Sequence, residues 1–328
     1  MSKVLIIGGT GTISYPITEL LSESMDVTIL NRGNKKIDLD VEVIIGDIYD
    51  EDLVIDGFYD VVINFLVFDE KHARRNIELF KGKTNQFIFI STNVVLNHHE
   101  HCVINENTPV GNRVSVYGQD KAMCERVFME ESDFPVTIVR PSHTFSKDRF
   151  PVSVKGKNTW TVIQRMIDGK EIIVHDMGQS IWPITHASDF ARLFVSLVGN
   201  EKAIGEIYHI QNPELHTWDM IYQEVARQLG VEYKPFYIPT DILSIEGSYD
   251  FDQSIRGDKM YSNIFDISKI LELNPDFEFE YDLKKSVREF LEYMNDHPEL
   301  KWIDKEFDEY SDRMIDWCLN LKETMNKI

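Results

Sequence analysis

Lys3-Val4-Leu5-Ile6-Ile7-Gly8-Gly9-Thr10-Gly11-Thr12-Ile13-Ser14 opens the chain, and its reading decides the fold. Five residues of apolar, β-branched character run into a glycine turn. A stretch with helical apolar spacing, Ile13–Ser24, follows. A buried strand, a glycine loop and a helix in that order let a backbone approach a pyrophosphate, which then meets the unpaired N–H groups and positive end of the helix. The flanking strand and helix distinguish this loop from a bare glycine cluster. Gly8, Thr10, Gly11, Thr12 and Ile13 are therefore candidate contacts to a dinucleotide, and Ser14 stands where a third glycine is expected.

Working outward, the apolar runs Val27–Leu30, Val41–Ile45, Asp60–Asn64, Gln86–Ser91, Val136–Arg140 and Ile207–Gln211 read as further strands. Near-continuous apolar runs suit parallel strands buried on both faces. Helical spacing recurs between them, as in Lys71–Lys81, so an α/β, doubly wound parallel sheet of the Rossmann type is expected. Beyond Phe150 the pattern turns helical: Thr159–Asp168, Ala187–Val198, Thr217–Leu229 with Thr217 as N-cap and Gly230 as stop, Leu283–Asn295 and Lys305–Lys327. The expected layout is a dinucleotide-binding domain over 1–150 with return segments near 181–211. A smaller, mostly helical substrate lobe over 151–328 is interleaved with it.

Composition narrows the partners. The 328 residues are 43% hydrophobic and 27% charged, as in an ordinary globular chain. A net charge of −21 opposes nucleic-acid phosphates, so no nucleic-acid partner is expected. Cys102, Cys124 and Cys318 have neither disulfide nor metal spacing. No signal peptide and no membrane span are expected, which points to the cytoplasm. His98-His99-Glu100-His101 reads as a solvated loop, and no metal site is expected.

The second strand ends in Asn31-Arg32-Gly33, without the carboxylate that would accept from a ribose 2′-OH. Arg32, helped by Lys35 or Lys36, can pair a 2′-phosphate instead, which favours NADP(H) over NAD(H). In Gly46-Asp47-Ile48, Asp47 suits either the adenine amino group or a helix N-cap. Tyr117 and Lys121 are four apart on one helix face. An ammonium close to a phenol stabilises the phenolate, the condition for proton transfer near neutral pH. Ser91-Thr92 at a strand end can polarise a substrate oxygen.

Taken in order, the glycine loop, Gly46-Asp47-Ile48, Ile90-Ser91-Thr92, Tyr117-x-x-x-Lys121, Val139-Arg140-Pro141, Trp182–Ala191 and Arg256-Gly257-Asp258 resemble the extended short-chain dehydrogenase/reductases, the NAD-dependent epimerase/dehydratase family. The resemblance spans roughly Lys3 to Asn295. It implies that Tyr117 is the acid/base, Lys121 its partner and a ribose contact, and Thr92 the hydroxyl aid, with Ser91 as fallback. It implies hydride transfer at a carbinol or carbonyl carbon of a sugar or sugar nucleotide, by an epimerase or a dehydrogenase. His143, Trp182 and Arg256 fall at substrate positions, and the helix over Asn112–Glu131 is where a homodimer would pair. Two departures stand out. Trp182 replaces an arginine that clamps a substrate phosphate, leaving Arg256 as the remaining clamp. Asn93-Val94-Val95 replaces the Asp-Glu pair of sugar 4,6-dehydratases, which disfavours that reaction. The alternative is a catalytically silent, atypical member that binds a dinucleotide as a redox-sensing module.

Overall fold

The computed structural model describes residues 1–35, 37–245, 249 and 251–326. The chain divides into two compact units. The first holds Met1–Thr144, Thr185–Pro213 and Phe265–Glu280, and the second holds Phe145–Ile184, Glu214–Ile264 and Tyr281–Ile328.

The first unit is built on seven strands: β1 (Lys3–Ile7), β2 (Asp26–Asn31), β3 (Glu42–Ile45), β4 (Tyr59–Asn64), β5 (Thr84–Ile90), β6 (Val136–Pro141) and β7 (Ile207–Ile210). They lie in the order β7-β6-β5-β4-β1-β2-β3, with every neighbouring pair parallel. The four helices that cover the sheet are α1 (Ser14–Ser22), α2 (Glu70–Phe80), α3 (Val116–Glu130) and α4 (Ala187–Phe194). Alternation along each strand divides the core between two faces. Val4 and Ile6 join Ile17 and Leu21 of α1 and Phe190 and Phe194 of α4, whereas Leu5 and Ile7 join Ala73 and Phe80 of α2 and Val127 and Phe128 of α3. Every strand expected from the sequence is present, with ends shifted by at most two residues.

Strand order reverses between β1 and β4, so a crevice opens beyond their carboxyl ends. Ligands of open α/β sheets bind at such a switch point.

The second unit is mainly helical, with Trp160–Ile167, Trp218–Leu229, Leu283–Asp296 and Lys305–Met325 around one two-stranded parallel ribbon, Ile172–His175 with Pro235–Ile238. Thr217 caps its helix as expected, accepting from Met220 N, and Gly230 ends it at φ 70°. Trp160, Trp218, Tyr222 and Phe290 lie in its core. Trp302 is 49% exposed.

Candidate active site

The glycine loop connects β1 to α1. Gly8 has φ +84°, and a Cβ there would sit 2.9 Å from Leu66 Cγ, so only glycine fits. Ser14 takes up the missing third glycine constructively: its Oγ donates to Gly8 O and accepts from Gly11 N, both at 2.7 Å. Helix α1 has no side-chain N-cap and no acidic residue in its first turn. By contrast Asp69, Ser115, Thr217, Asp282 and Asp304 cap theirs. The N–H groups of Thr12 and Ile13 at the head of α1 are thus left for an anion, whereas Tyr15 N already donates to Gly11 O.

A cavity of about 530 Å³ lies over this loop, lined by Gly8, Thr10, Gly11, Asn31, Arg32, Lys35, Asp47, Ile48 and Tyr49 among others. Asn31 Oδ1 accepts from Gly33 N, but its buried Nδ2 has no partner among the described residues. Arg32 is exposed and forms no ion pair among the described residues. Lys35 Nζ donates to Thr10 O at 3.3 Å, and Lys36 lies outside the described residues. Asp47 departs from one expectation. Its carboxylate accepts from Tyr49 N at 3.1 Å, which makes it the head of a turn rather than a helix N-cap. These features suit a dinucleotide: an uncapped helix end, a cradle closed to any Cβ, an orphaned amide and a cation at the second strand's end.

The second cluster forms where α3 meets the ends of β4 and β5. Ser115 Oγ caps α3 by accepting from Gly118 N. A Cβ on Gly118 would lie 2.5 Å from Val94 O, so glycine lets the helix close on the short turn Asn93–Val95. Asn112 Nδ2 fastens the same turn, donating to Val94 O at 2.8 Å. Thr92 heads the turn, its Oγ1 accepting from Val94 N at 3.2 Å. Lys121, 2% exposed, donates to Val67 O and Ile90 O, each at 2.7 Å. Its Nζ lies 5.8 Å from the Tyr117 ring centroid, and Phe89 and Phe68 flank it at 4.8 and 5.4 Å.

The electrostatics differ from expectation. Burial pushes Lys121 down to about 8, and the protein packed round the Tyr117 phenol pushes it up to about 12, although 45% of the residue stays open. The protein alone therefore holds Tyr117 as a proton donor. Lys121, which keeps its charge below about pH 8, puts one positive charge near the phenol, and an oxidised nicotinamide bound in the crevice would supply a second.

Ser91 is placed elsewhere. Its hydroxyl donates to Glu125, which Arg140 holds through Nε at 2.9 Å and Nη2 at 2.6 Å. Both charged side chains are buried. Ser91 is thus committed to a structural network and Thr92 keeps the free position. Glu125 was missed from sequence, although an arginine inside an apolar strand calls for a buried carboxylate. Trp182 is corrected too: it is 1% exposed and stacks on Trp218 at 5.4 Å, so it has no surface for a substrate. Arg256 is held by Asp252 at 2.7 Å and Asp241 at 2.9 Å, so its charge is already paired. His143 is half-buried just past β6. His98 is buried against Asn93 O, and no group of three metal-binding side chains forms among the described residues. No helix among them is long and apolar enough to cross a membrane.

Residues 4–210 match the profile of the NAD dependent epimerase/dehydratase family. The chain belongs to that family. Among curated proteins, this family member is 25% identical over 263 residues to the chloroplast stem-loop binding protein of 41 kDa b from Arabidopsis thaliana, covering 71% of the chain. It is 23% identical over 112 residues to 2′-dehydrokanamycin reductase from Streptomyces kanamyceticus, covering 34% of the chain. The chain spans 66% of the first relative's length and 31% of the second's. Among solved structures it resembles UDP-glucuronic acid 4-epimerase from Bacillus cereus in complex with UDP-glucuronic acid and NAD. That match has a TM-score of 0.70 at 18% identity and covers 90% of this chain and 99% of that one, a likeness of fold.

Proposed function

We propose that this protein is an oxidoreductase or epimerase that moves a hydride between a nicotinamide ring and a carbinol or carbonyl carbon of a sugar or sugar nucleotide. The observation that carries the reading is the convergence of Tyr117, Lys121 and Thr92 at the strand ends beside a glycine loop whose helix end is left uncapped. Tyr117 gives the proton to the substrate oxygen when a carbonyl is reduced and takes it when a carbinol is oxidised. Thr92 polarises that oxygen. Lys121, anchored on two carbonyls, supplies positive charge and a donor for the nicotinamide ribose.

Arg32 and Lys35 at the cofactor cavity favour NADP(H), because a free guanidinium there pairs a 2′-phosphate. NAD(H) is the other option, and it is the cofactor named for the Bacillus cereus epimerase. A 4,6-dehydration is disfavoured: Asn93 is buried, and Val94 and Val95 carry no ionisable group.

The test is Tyr117→Phe, assayed on whichever of UDP-glucose, UDP-glucuronic acid or a keto-sugar the wild type turns over. Loss of the acid/base group should lower turnover by about 100-fold or more while dinucleotide affinity stays unchanged. Turnover that survives the substitution contradicts the assignment. A second reading, a silent dinucleotide-binding module, draws on the high phenol pKa of Tyr117 and the full engagement of Ser91. It gains if wild type binds dinucleotide and turns over none of these sugars.

A further inference from the structure

The second unit contains a cavity of about 450 Å³ outside every position discussed so far, lined by Ser153, Lys155, Lys157, Phe251, Ser254 and Lys259 among others. In a chain with a net charge of −21, this concentration of cations is out of keeping with the rest of the surface. Lys259 spends one hydrogen bond on Ser153 O at 3.1 Å, and Lys155 one on Gly156 O at 3.3 Å. An ammonium has three donors, so each keeps two for something else. Tyr222 fixes the floor by accepting from Ser153 N at 2.7 Å. Tyr249 and Phe251 stack at 5.8 Å to form an aromatic wall, and the buried Tyr249 hydroxyl has no partner among the described residues.

The charges nearby do not cancel. Lys155, Lys157, Lys259 and Arg149 face Asp258, Asp304 and Glu306. Of the carboxylates, Glu306 is taken by Lys157 at 3.1 Å, and Asp304 accepts from Lys157 N and Phe307 N. Asp258 offsets Lys259, yet burial, with Lys155 and Arg149 adding repulsion, still pushes that ammonium down. Lys155 is likewise pushed down by burial and by Arg149. Partly buried cations held together in this way are relieved by an anion.

We propose that this cavity binds the phosphate of a small phosphorylated metabolite, with Lys155 and Lys259 on the phosphate oxygens and the Tyr249–Phe251 wall against the rest of the molecule. The volume suits a ligand of sugar-phosphate size. The site goes beyond the functional reading above; within the same unit Trp182 is buried and Arg256 is already paired by Asp241 and Asp252.

The experiment uses the intact protein. Lysines are acetylated with limiting acetic anhydride at pH 8, alone and with inorganic pyrophosphate, glucose 1-phosphate or glucose, and quantified by mass spectrometry. Pyrophosphate and glucose 1-phosphate should each protect Lys155 and Lys259 by at least about fivefold and leave the exposed Lys202 unchanged, whereas glucose protects neither. In titration calorimetry, Lys155→Gln should weaken glucose 1-phosphate about tenfold or more, the loss of one charge-assisted contact, with Lys155→Arg restoring most of it. No protection by either anion, protection spread over all lysines, or equal affinity in Lys155→Gln overturns the proposal. NADPH titration of the same preparation separates the two ideas: dinucleotide binding without anion protection sinks this site alone, and anion protection without dinucleotide binding sinks the functional reading instead.

Discussion

Replacing Lys121 with methionine separates what the ammonium does for the fold from what it does for chemistry. In the wild type its Nζ lies 2.7 Å from both Val67 O and Ile90 O, in a setting almost closed to water. Burial outweighs the support of Cys124 and Glu125 and lowers the group from 10.5 to about 8. At about 1.4 kcal/mol per pH unit, that gap is worth on the order of 3 kcal/mol against the charged form. The sign follows from proton binding. Above about pH 10.5 neither state holds the proton and Lys121 contributes nothing through titration. Between 10.5 and 8 the unfolded chain binds it first, so stability falls as pH falls, and below about 8 the whole penalty is present. Methionine does not titrate. Its own cost is two buried carbonyls left without a donor, about 1–3 kcal/mol each, which roughly offsets the relief at neutral pH. Urea denaturation of both proteins at pH 7.5 and 10.5 measures the difference. Wild type should gain about 3 kcal/mol on the variant across that window, while the two stay within about 3 kcal/mol at pH 7.5. A difference flat with pH refutes the account of Lys121 as a buried, desolvated ammonium.

Glu125→Gln removes the charge that Arg140 and Ser91 share in the core, and should cost about 3 kcal/mol in the urea unfolding of the first unit; an unchanged midpoint contradicts the buried pair. Ser14→Ala takes away two hydrogen bonds that tie Gly8 to Gly11, so it should cost about 1–2 kcal/mol and raise the dinucleotide dissociation constant. Arg32→Glu should weaken NADPH by about tenfold or more in a fluorescence titration and NADH far less; equal losses mean that Arg32 does not read a 2′-phosphate.

The sheet was legible because buried parallel strands leave little choice of residue. Val4-Leu5-Ile6-Ile7 must be apolar on both sides, and the glycine at position 8 must follow if the chain is to turn under Leu66. The glycine positions follow the same logic, since Gly8 and Gly118 leave no room for a Cβ, whereas Tyr117 and Lys121 stood out only through the ordered motifs around them. Ser91 and Thr92 were not separable, since adjacent residues of a strand point to opposite faces and only the structure tells which face holds Glu125. Trp182 read as a substrate position because its neighbours along the chain matched; its stacking on Trp218 joins residues far apart in sequence. Lys155 stands in a loop and Lys259 ends the helical segment Asp252–Lys259, far apart in sequence, so their convergence left no trace there.

The most direct test of the central claim is a titration of the purified chain with NADPH and with NADH, followed by nicotinamide fluorescence. The account expects saturable binding of one dinucleotide per chain. Binding of neither would contradict it at its base, because the glycine loop, the uncapped helix end and Lys121 would then have no ligand to serve.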